Sequence, residues 1–155
     1  MPERSTLDIL RTCRFTVTCS QFPEDTAYFT EISGFDATYD PVEYRAGDDS
    51  RMTPMKFPGL IKYGDITLKR GIASTEALGD SSFLNWIDKS RDGAIVKLGQ
   101  MTISLLNNEG TEPAATWELR QVWPSKYEGP SLNGNSSEVA IETLTLCHEG
   151  LTRTK

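Results

Sequence analysis

The sequence predicts a mainly β protein, a barrel or sandwich of strands with a single α-helix. Three observations lead to this prediction. Apolar and polar residues alternate in several short stretches, which is the two-residue period of a half-buried strand. Glycine, proline and asparagine clusters separate those stretches. Only one stretch, residues 74–93, has the three- and four-residue spacing of an amphipathic helix. Many strands with one helix are typical of Greek-key or meander connections.

Length and charge limit the possible classes of protein. A chain of 155 residues is enough for one domain, and we expect residues 1–155 to form it. No apolar run approaches the roughly 20 residues that span a bilayer, so we expect no membrane insertion. The net charge of -6 disfavours general binding to phosphate backbones, so no specific nucleic-acid binding is expected. The first 15 residues lack the apolar centre of a secretory signal, which predicts synthesis in the cytoplasm.

The first third of the chain contains the clearest strand patterns. Phe15, Val17 and Cys19 alternate with polar residues and predict a half-buried strand with these three residues on its inner face. Residues 27–45 are rich in aromatic and β-branched residues. Because Gly34 and Pro41 interrupt them, the pattern predicts either two strands or one bent strand.

Residues 46–59 show neither a helical nor a strand period, and their prolines and glycines predict an irregular loop. A loop of this length in a small domain is either functional or disordered. Met52, Met55 and Phe57 argue against disorder, because apolar side chains need a surface to pack against. Two interpretations remain at this point: these side chains contact a partner, or they fold back on the core of their own chain.

The second half of the chain continues the strand pattern around the helix. Ile66 and Leu68 alternate with polar residues, and NNEG at 107–110 provides the residues of a tight hairpin. The inner faces of the two strands that flank this hairpin are predicted to carry Met101, Ile103, Leu105, Trp117, Leu119 and Trp123. The predicted helix carries the apolar stripe Phe83, Leu84, Trp86 and Ile87, which is typical of core packing.

The last predicted strand begins near residue 138 and has apolar residues on both faces. Val139 and Ile141 share one face, whereas Leu144 and Leu146 share the other. The buried side therefore changes near Glu142. Either a β-bulge or burial against a neighbouring molecule would account for this change.

The stretch TLCHEG, residues 145–150, contains the single histidine of the chain beside a cysteine. A thiol–imidazole dyad requires the two groups within about 3 Å of each other. Cys147 and His148 are neighbours on a strand and point to opposite faces. One histidine without a CxxC pair does not make a zinc site either. We predict no catalytic, metal-binding or cofactor-binding residues, although a pair of carboxylates in a cleft would still suit a cell-wall-acting hydrolase.

Several ordered segments resemble one known family. They are DPVEYRAGDDS at 40–50, FPGLIKYGDITLKRGI at 57–72, FLNWI at 83–87, and the run from WELRQVWPSKYEGP through SSEVAIETLTLCHEGL at 117–151. Together they are similar to the phage tail-tube (gp19-like) family, which includes inner-tube proteins of contractile phage tails and extracellular contractile injection systems. The resemblance covers residues 15–151, and residues 1–13 are a divergent N-terminal lead-in.

The resemblance implies two packed antiparallel sheets that form a small barrel or sandwich with one flanking helix. It implies a structural protein rather than an enzyme, without cofactors, that forms hexameric rings stacked into a hollow tube. Sheath contraction would drive this tube through a target envelope. The implied partners are further copies of the chain, the sheath, the baseplate or hub, the cap, and a cargo or tape-measure protein in the lumen. The implied location is a phage tail or an extracellular phage tail-like particle.

Within this resemblance, residues 46–59 correspond to an extended loop that reaches neighbouring subunits. The candidate inter-subunit contacts are Asp48, Arg51, Met52, Met55 and Phe57. A monomeric β-barrel binding module, using the same loop on a different partner, is the main alternative, and the hydrolase is a further one.

Overall fold

The computed structural model of the chain describes residues 9–20, 29–72, 86–88, 91 and 99–155. These residues contain nine strands: β1 (Phe15–Cys19), β2 (Phe29–Ser33), β3 (Ala37–Tyr44), β4 (Met55–Tyr63), β5 (Ile66–Gly71), β6 (Gly99–Leu106), β7 (Pro113–Glu128), β8 (Ile141–Cys147) and β9 (Gly150–Arg153). All of their pairings are antiparallel. The prediction of a mainly β, antiparallel protein is confirmed.

Two sheets share the long strand β7. The first half of β7 pairs with β6 and β9, and from Trp123 onward β7 pairs with β8. One sheet is therefore β1-β6-β7-β9 and the other is β7-β8-β5-β2. The remaining strands, β3 and β4, pair only with each other and form a separate two-stranded hairpin. A single 16-residue strand thus joins the two layers.

The core lies between these two sheets and draws on both of them. Its buried members are Val17, Cys19, Ile66, Leu68, Trp86, Met101, Ile103, Leu119, Val122, Leu144 and Leu146. In β1 and β5 the buried residues are those that the alternating pattern places on the inner face. Because successive side chains of a strand point to opposite sides, alternation is enough to choose the buried set.

The described part of this stretch, residues 29–45, contains two strands rather than one bent strand, and Gly34 separates them. Gly34 has a φ of 103°, in the left-handed region that favours glycine. A Cβ at this position would lie 2.0 Å from the carbonyl oxygen of Asp65. The chain turns out of the sheet at Gly34 and enters the hairpin at Ala37, so this glycine is required where the hairpin departs.

The predicted inner position of Trp123 is wrong. Gln121 has a φ of 54°, and the register of β7 against β6 shifts between the pairs Met101–Leu119 and Gly99–Val122. The irregularity moves the following side chains by one position, so Val122 is fully buried whereas Trp123 is 37% exposed. Simple alternation fails at the place where β7 passes from one sheet to the other.

The hairpin between β6 and β7 is confirmed, but its connection is longer than a tight turn. It runs over residues 107–112, and the Asn107 side-chain oxygen accepts a hydrogen bond from the backbone N–H of Thr111 at 2.9 Å. Gly110 occupies the left-handed region, with a φ of 77°.

The predicted helix, residues 74–93, lies largely outside the described residues, including Phe83 and Leu84. Trp86, Ile87, Asp88 and Arg91 are helical, and Trp86 is buried in the core. Among the residues that the structure describes, no helix is long and apolar enough to cross a bilayer.

The predicted change of buried side near Glu142 does not occur through a bulge. The pairing of β8 with β5 is continuous from Ile141 to Leu146. Glu142, Leu144 and Leu146 all face inward, whereas Val139 is 77% exposed and Ile141 is 43% exposed. The glutamate therefore lies on the same face as the two leucines, and of the two explanations only the bulge is excluded.

Candidate functional site

The most unusual surface of the described chain is the hairpin made by β3 and β4. All eight residues of β3 and most of β4 are exposed, so the hairpin stands away from the core. Irregular structure was predicted throughout 46–59, and this is wrong from Met55 onward, because those residues belong to β4. The strand has no visible period in the sequence because it contains Pro58 and Gly59. Backbone pairing with β3 nevertheless holds it extended.

The two faces of the hairpin differ in chemistry. Cross-strand partners place their side chains on the same face. One face carries Val42, Tyr44, Met55 and Phe57, through the pairs Tyr44–Met55 and Val42–Phe57. We call this set the hairpin apolar face. The opposite face carries the ion pair Glu43–Lys56 at 3.8 Å and the pair Tyr39–Ile61. A second ion pair, Asp40–Lys62 at 2.6 Å, lies beyond the hairpin apolar face on the same side.

A bulge in β4 limits the hairpin apolar face to the end near the connecting segment. The register shifts between the pairs Tyr39–Ile61 and Pro41–Pro58, so two residues of β4, Gly59 and Leu60, lie opposite the single residue Asp40 of β3. The extra residue belongs to β4, and β3 alternates without interruption, so Tyr39 lies on the face opposite Val42. Gly59 is part of the bulge, where a Cβ would come within 2.3 Å of the Asp40 carbonyl oxygen.

The hairpin apolar face is largely exposed. Tyr44 is 59% exposed, Val42 is 53% exposed, Phe57 is 50% exposed and Met55 is 36% exposed. Contiguous apolar surface of this kind marks interaction sites on folded proteins. An isolated two-stranded hairpin is also only marginally stable in water. Both considerations favour a contact surface for another molecule.

Arg45 organises the segment that joins β3 to β4. Its Nε donates to the carbonyl oxygen of Arg51 and its Nη2 to that of Asp49, both at 3.0 Å. The Asp49 carboxylate accepts the backbone N–H of Arg51 at 3.0 Å, in the manner of an Asx turn. Arg45 and Asp49 were not among the candidate residues. The position of Asp49 two residues before Arg51, in a segment rich in turn residues, could have indicated the Asx turn.

The five candidate contact residues occupy different positions in this hairpin. Asp48 is exposed within the connecting segment. The Arg51 side chain is 67% exposed and lies 3.4 Å from the Asp49 carboxylate. Met52 is 88% exposed at the tip, whereas Met55 and Phe57 lie on the hairpin apolar face. The structure thus brings Met55 and Phe57 together with Val42 and Tyr44, which the loop interpretation had missed.

Cys147 and His148 do not form a catalytic pair. The Cys147 thiol donates to a carboxylate oxygen of Asp65 at 3.3 Å, and Nε2 of His148 lies 3.0 Å from the carbonyl oxygen of Gly64. Burial is the main cause that raises the pKa of the Cys147 thiol, which opposes formation of a thiolate. In the described part of the chain, no three His, Cys, Asp or Glu side chains are grouped so that they could hold a metal ion.

A buried polar network was missed by the sequence reasoning. Arg70 and Glu142 are 3% and 7% exposed, and the Arg70 Nε lies 2.5 Å from Oε1 of Glu142. The Tyr127 hydroxyl donates to the other carboxylate oxygen of Glu142 at 2.8 Å. Burial, followed by this hydrogen bond, raises the pKa of Tyr127 to about 12. The sequence did contain a sign of this network. Arg70 lies on the same face of β5 as Ile66 and Leu68, and Glu142 lies on the same face of β8 as Leu144.

Solved structures of injection-system tubes have the same fold. The chain is similar to a component of the sheath–tube complex of an extracellular contractile injection system named PVC, with a TM-score of 0.81 and 28% identity over 96% of this chain and 93% of that one. It is also similar to a chain in the tube-terminating cap of the anti-feeding prophage, with a TM-score of 0.79 and 29% identity over 94% and 91% of the two chains.

A more distant likeness concerns the fold alone. The Hcp1 protein from Flavobacterium johnsoniae has a TM-score of 0.52 and 12% identity, over 91% of this chain and 94% of that one. A comparison with curated protein sequences gave no significant match.

The family model described as the T4-like virus tail tube protein gp19 matches residues 11–152. That match includes β1 to β8, with the exposed hairpin, and all but the last residue of β9. The chain therefore belongs to the gp19 tail-tube family and is a structural protein of an inner tube.

Proposed function

We propose that the protein forms homo-hexameric rings that stack into the inner tube of a contractile injection machine. The hairpin apolar face is the single observation that carries the assembly step, because an apolar face of this size needs a covering surface. A second copy of the chain is the occupant that a tube requires. Its contact is heterologous, since the hairpin of one copy meets a different surface on the next, and such contacts close into rings or extend into filaments.

The candidate residues divide into two roles in this proposal. Met52, Met55 and Phe57 supply apolar area to the neighbouring copy, and Asp48 and Arg51 supply charge at the rim of that contact. A polar rim around an apolar centre is the usual organisation of protein interfaces. The Arg45 hydrogen bonds within the connecting segment support this arrangement, because an ordered tip loses less conformational entropy when it binds.

Further partners follow from the role of an inner tube. We propose a sheath around the tube, a baseplate or hub at one end, a cap at the other, and a cargo or tape-measure protein in the lumen. Similar chains occur in a sheath–tube complex and in a tube-terminating cap, which supports the first and third of these. The particle would be a phage tail or an extracellular phage tail-like assembly.

Electron microscopy of the purified protein tests the assembly step. We expect negatively stained particles to be rings with six-fold symmetry or stacks of such rings, and light scattering to give the mass of six or more chains. A strictly monomeric species at every concentration, even with sheath and baseplate proteins present, would contradict the proposal. That outcome would favour the monomeric binding module instead.

A further inference from the structure

The hairpin of β3 and β4 is the outward continuation of the paired strands β2 and β5. The pairing of β2 with β5 ends at Ser33–Thr67, and the pairing of β3 with β4 begins at Ala37–Tyr63. These two pairs are separated by the same number of residues on each strand, so the register is kept across the interruption. We call the residues between the two pairs the hairpin joint; they are residues 34–36 and 64–65.

The two strands of the hairpin joint approach each other closely. A Cβ at Gly64 would lie 2.0 Å from Oδ1 of Asp36, and the backbone N–H of Gly64 donates to the Asp36 carbonyl oxygen at 3.4 Å. Gly34 lies in the same way against the backbone of Asp65. These contacts hold the two strands together, but they move with the hairpin. The direction in which the hairpin leaves the sheet requires a contact from a third strand.

The end of β8 provides that contact through His148. Continued in register, the pairing of β8 with β5 places His148 opposite Gly64. Nε2 of His148 lies 3.0 Å from the Gly64 carbonyl oxygen, and the imidazole packs against the ring of Tyr63 with centroids 5.4 Å apart. Nδ1 lies 3.3 Å from the carbonyl oxygen of Gly150. One side chain thus contacts the hairpin joint, the last residue of β4 and the first residue of β9.

Two further contacts hold the hairpin joint to the sheets. The Cys147 thiol donates to the Asp65 carboxylate at 3.3 Å, and the ring of Phe35 packs on Trp117 with centroids 5.3 Å apart. A thiol is a weak donor, and two packed rings have no donor and acceptor that fix one direction. Among these three contacts, the hydrogen bond from His148 is the one that reaches the main chain of the hairpin joint.

The neutral imidazole has one N–H, and the shorter of its two contacts assigns this proton to Nε2. Given the assembly proposed above, on which this role rests, we propose that His148 fixes the direction in which the hairpin leaves the sheet. The hairpin apolar face is then presented to a neighbouring copy in one orientation. His148 is a positioning residue at the base of the hairpin, outside the hairpin apolar face. A hairpin held in one direction loses less conformational entropy when it binds.

Three substitutions separate the hydrogen bond from the bulk of the imidazole. His148→Gln places an amide N–H near the position of Nε2, His148→Asn places one near that of Nδ1, and His148→Ala provides neither. Because apparent affinity falls with the fraction of correctly oriented chains, we expect the assembly concentration to rise about threefold to tenfold for Asn and Ala. For Gln we expect it to stay within about twofold. Sedimentation velocity measures these concentrations. The matched control is Glu149→Ala, at an exposed neighbour, and should leave assembly unchanged.

A distance measurement on the single chain tests the positioning role without assembly. Nitroxide labels replace Gly47, in the segment that joins β3 to β4, and Glu118, which is exposed on β7. A genetically encoded ketone amino acid carries each label, so the three native cysteines stay unmodified. Below the assembly concentration, we expect pulsed electron paramagnetic resonance to give one narrow distance distribution for the wild type and His148→Gln. We expect a broader distribution for His148→Asn and His148→Ala.

The two measurements distinguish a failure of this role from a failure of the proposed function. An equally narrow distribution in every variant would overturn the role of His148. A rise in assembly concentration that is the same for Gln and Ala, or that also occurs in the Glu149 control, would overturn it too. So would loss of folding, by circular dichroism, in the Asn and Ala variants alone, because His148 would then hold the core. If the wild type never assembles, the proposed function fails, and the distance distributions still decide whether His148 holds the hairpin.

Discussion

Removing apolar area from the hairpin should weaken assembly far more than it weakens the fold. The perturbation is the triple change Met52→Ser, Met55→Ser and Phe57→Ser. These residues are 88%, 36% and 50% exposed in the single chain. Full burial of one large apolar side chain contributes about 1.5–3 kcal/mol, so covering the exposed parts of these three contributes roughly 3–5 kcal/mol per subunit contact. At about 1.4 kcal/mol for each factor of ten, the concentration needed for assembly should rise roughly a hundredfold to several thousandfold.

Sedimentation velocity across a concentration series measures this shift, with electron microscopy to identify rings. Ile9→Ser is the matched control, because Ile9 is 85% exposed but lies outside the hairpin. The thermal midpoint of the isolated triple variant should fall by only a few degrees, since much of the removed area is already exposed. Rings that form at unchanged concentration would refute the role of the hairpin. An equal loss in the Ile9 control would show that the effect is not specific to the hairpin.

Two further predictions concern the core and the buried network. Leu68→Ala should lower the free energy of unfolding by about 2–5 kcal/mol in urea titrations, because Leu68 is fully buried; Leu60→Ala, at a residue 80% exposed, should cost much less. Equal losses would contradict the assignment of the core. The raised pKa of Tyr127 predicts extra stability that is present below about pH 10 and is lost as the pH rises toward about 12, where the folded protein releases this proton. Tyr127→Phe should flatten that decline in urea titrations between pH 9 and 12. If the free energies of unfolding of the two proteins differ by the same amount at every pH, the decline does not come from Tyr127.

The strands with strict alternation could be predicted because their faces differ clearly in polarity. In β1 and β5 the residues on the apolar face are the ones that the core contains, including Val17 and Leu68. Gly34 also marked a break, and the structure places the boundary between β2 and β3 there. These features depend on local chemistry, which a short stretch of residues contains completely.

The apolar face of the hairpin could not be predicted, because it depends on which residues of β3 lie opposite Met55 and Phe57. Pairing places Tyr44 and Val42 there, and the bulge at Gly59 and Leu60 turns Ile61 to the other face. Trp123 was misplaced for a related reason, since the left-handed backbone at Gln121 displaces the alternation where β7 changes sheets. Both irregularities become visible only when the pairing with the neighbouring strand is known.

The sequence by itself determined the fold class, the alternating core strands and, through its ordered segments, the resemblance to tail-tube proteins. Only the tertiary structure decided which residues of the hairpin share a face and which residue of β7 enters the core at the bend near Gln121. The physical reason is that a bulge shifts the alternation of a strand, and its position depends on the pairing with the neighbouring strand. The structure also shows how an inward glutamate is accommodated, since Arg70 and Tyr127 on the two strands beside β8 contact the carboxylate of Glu142.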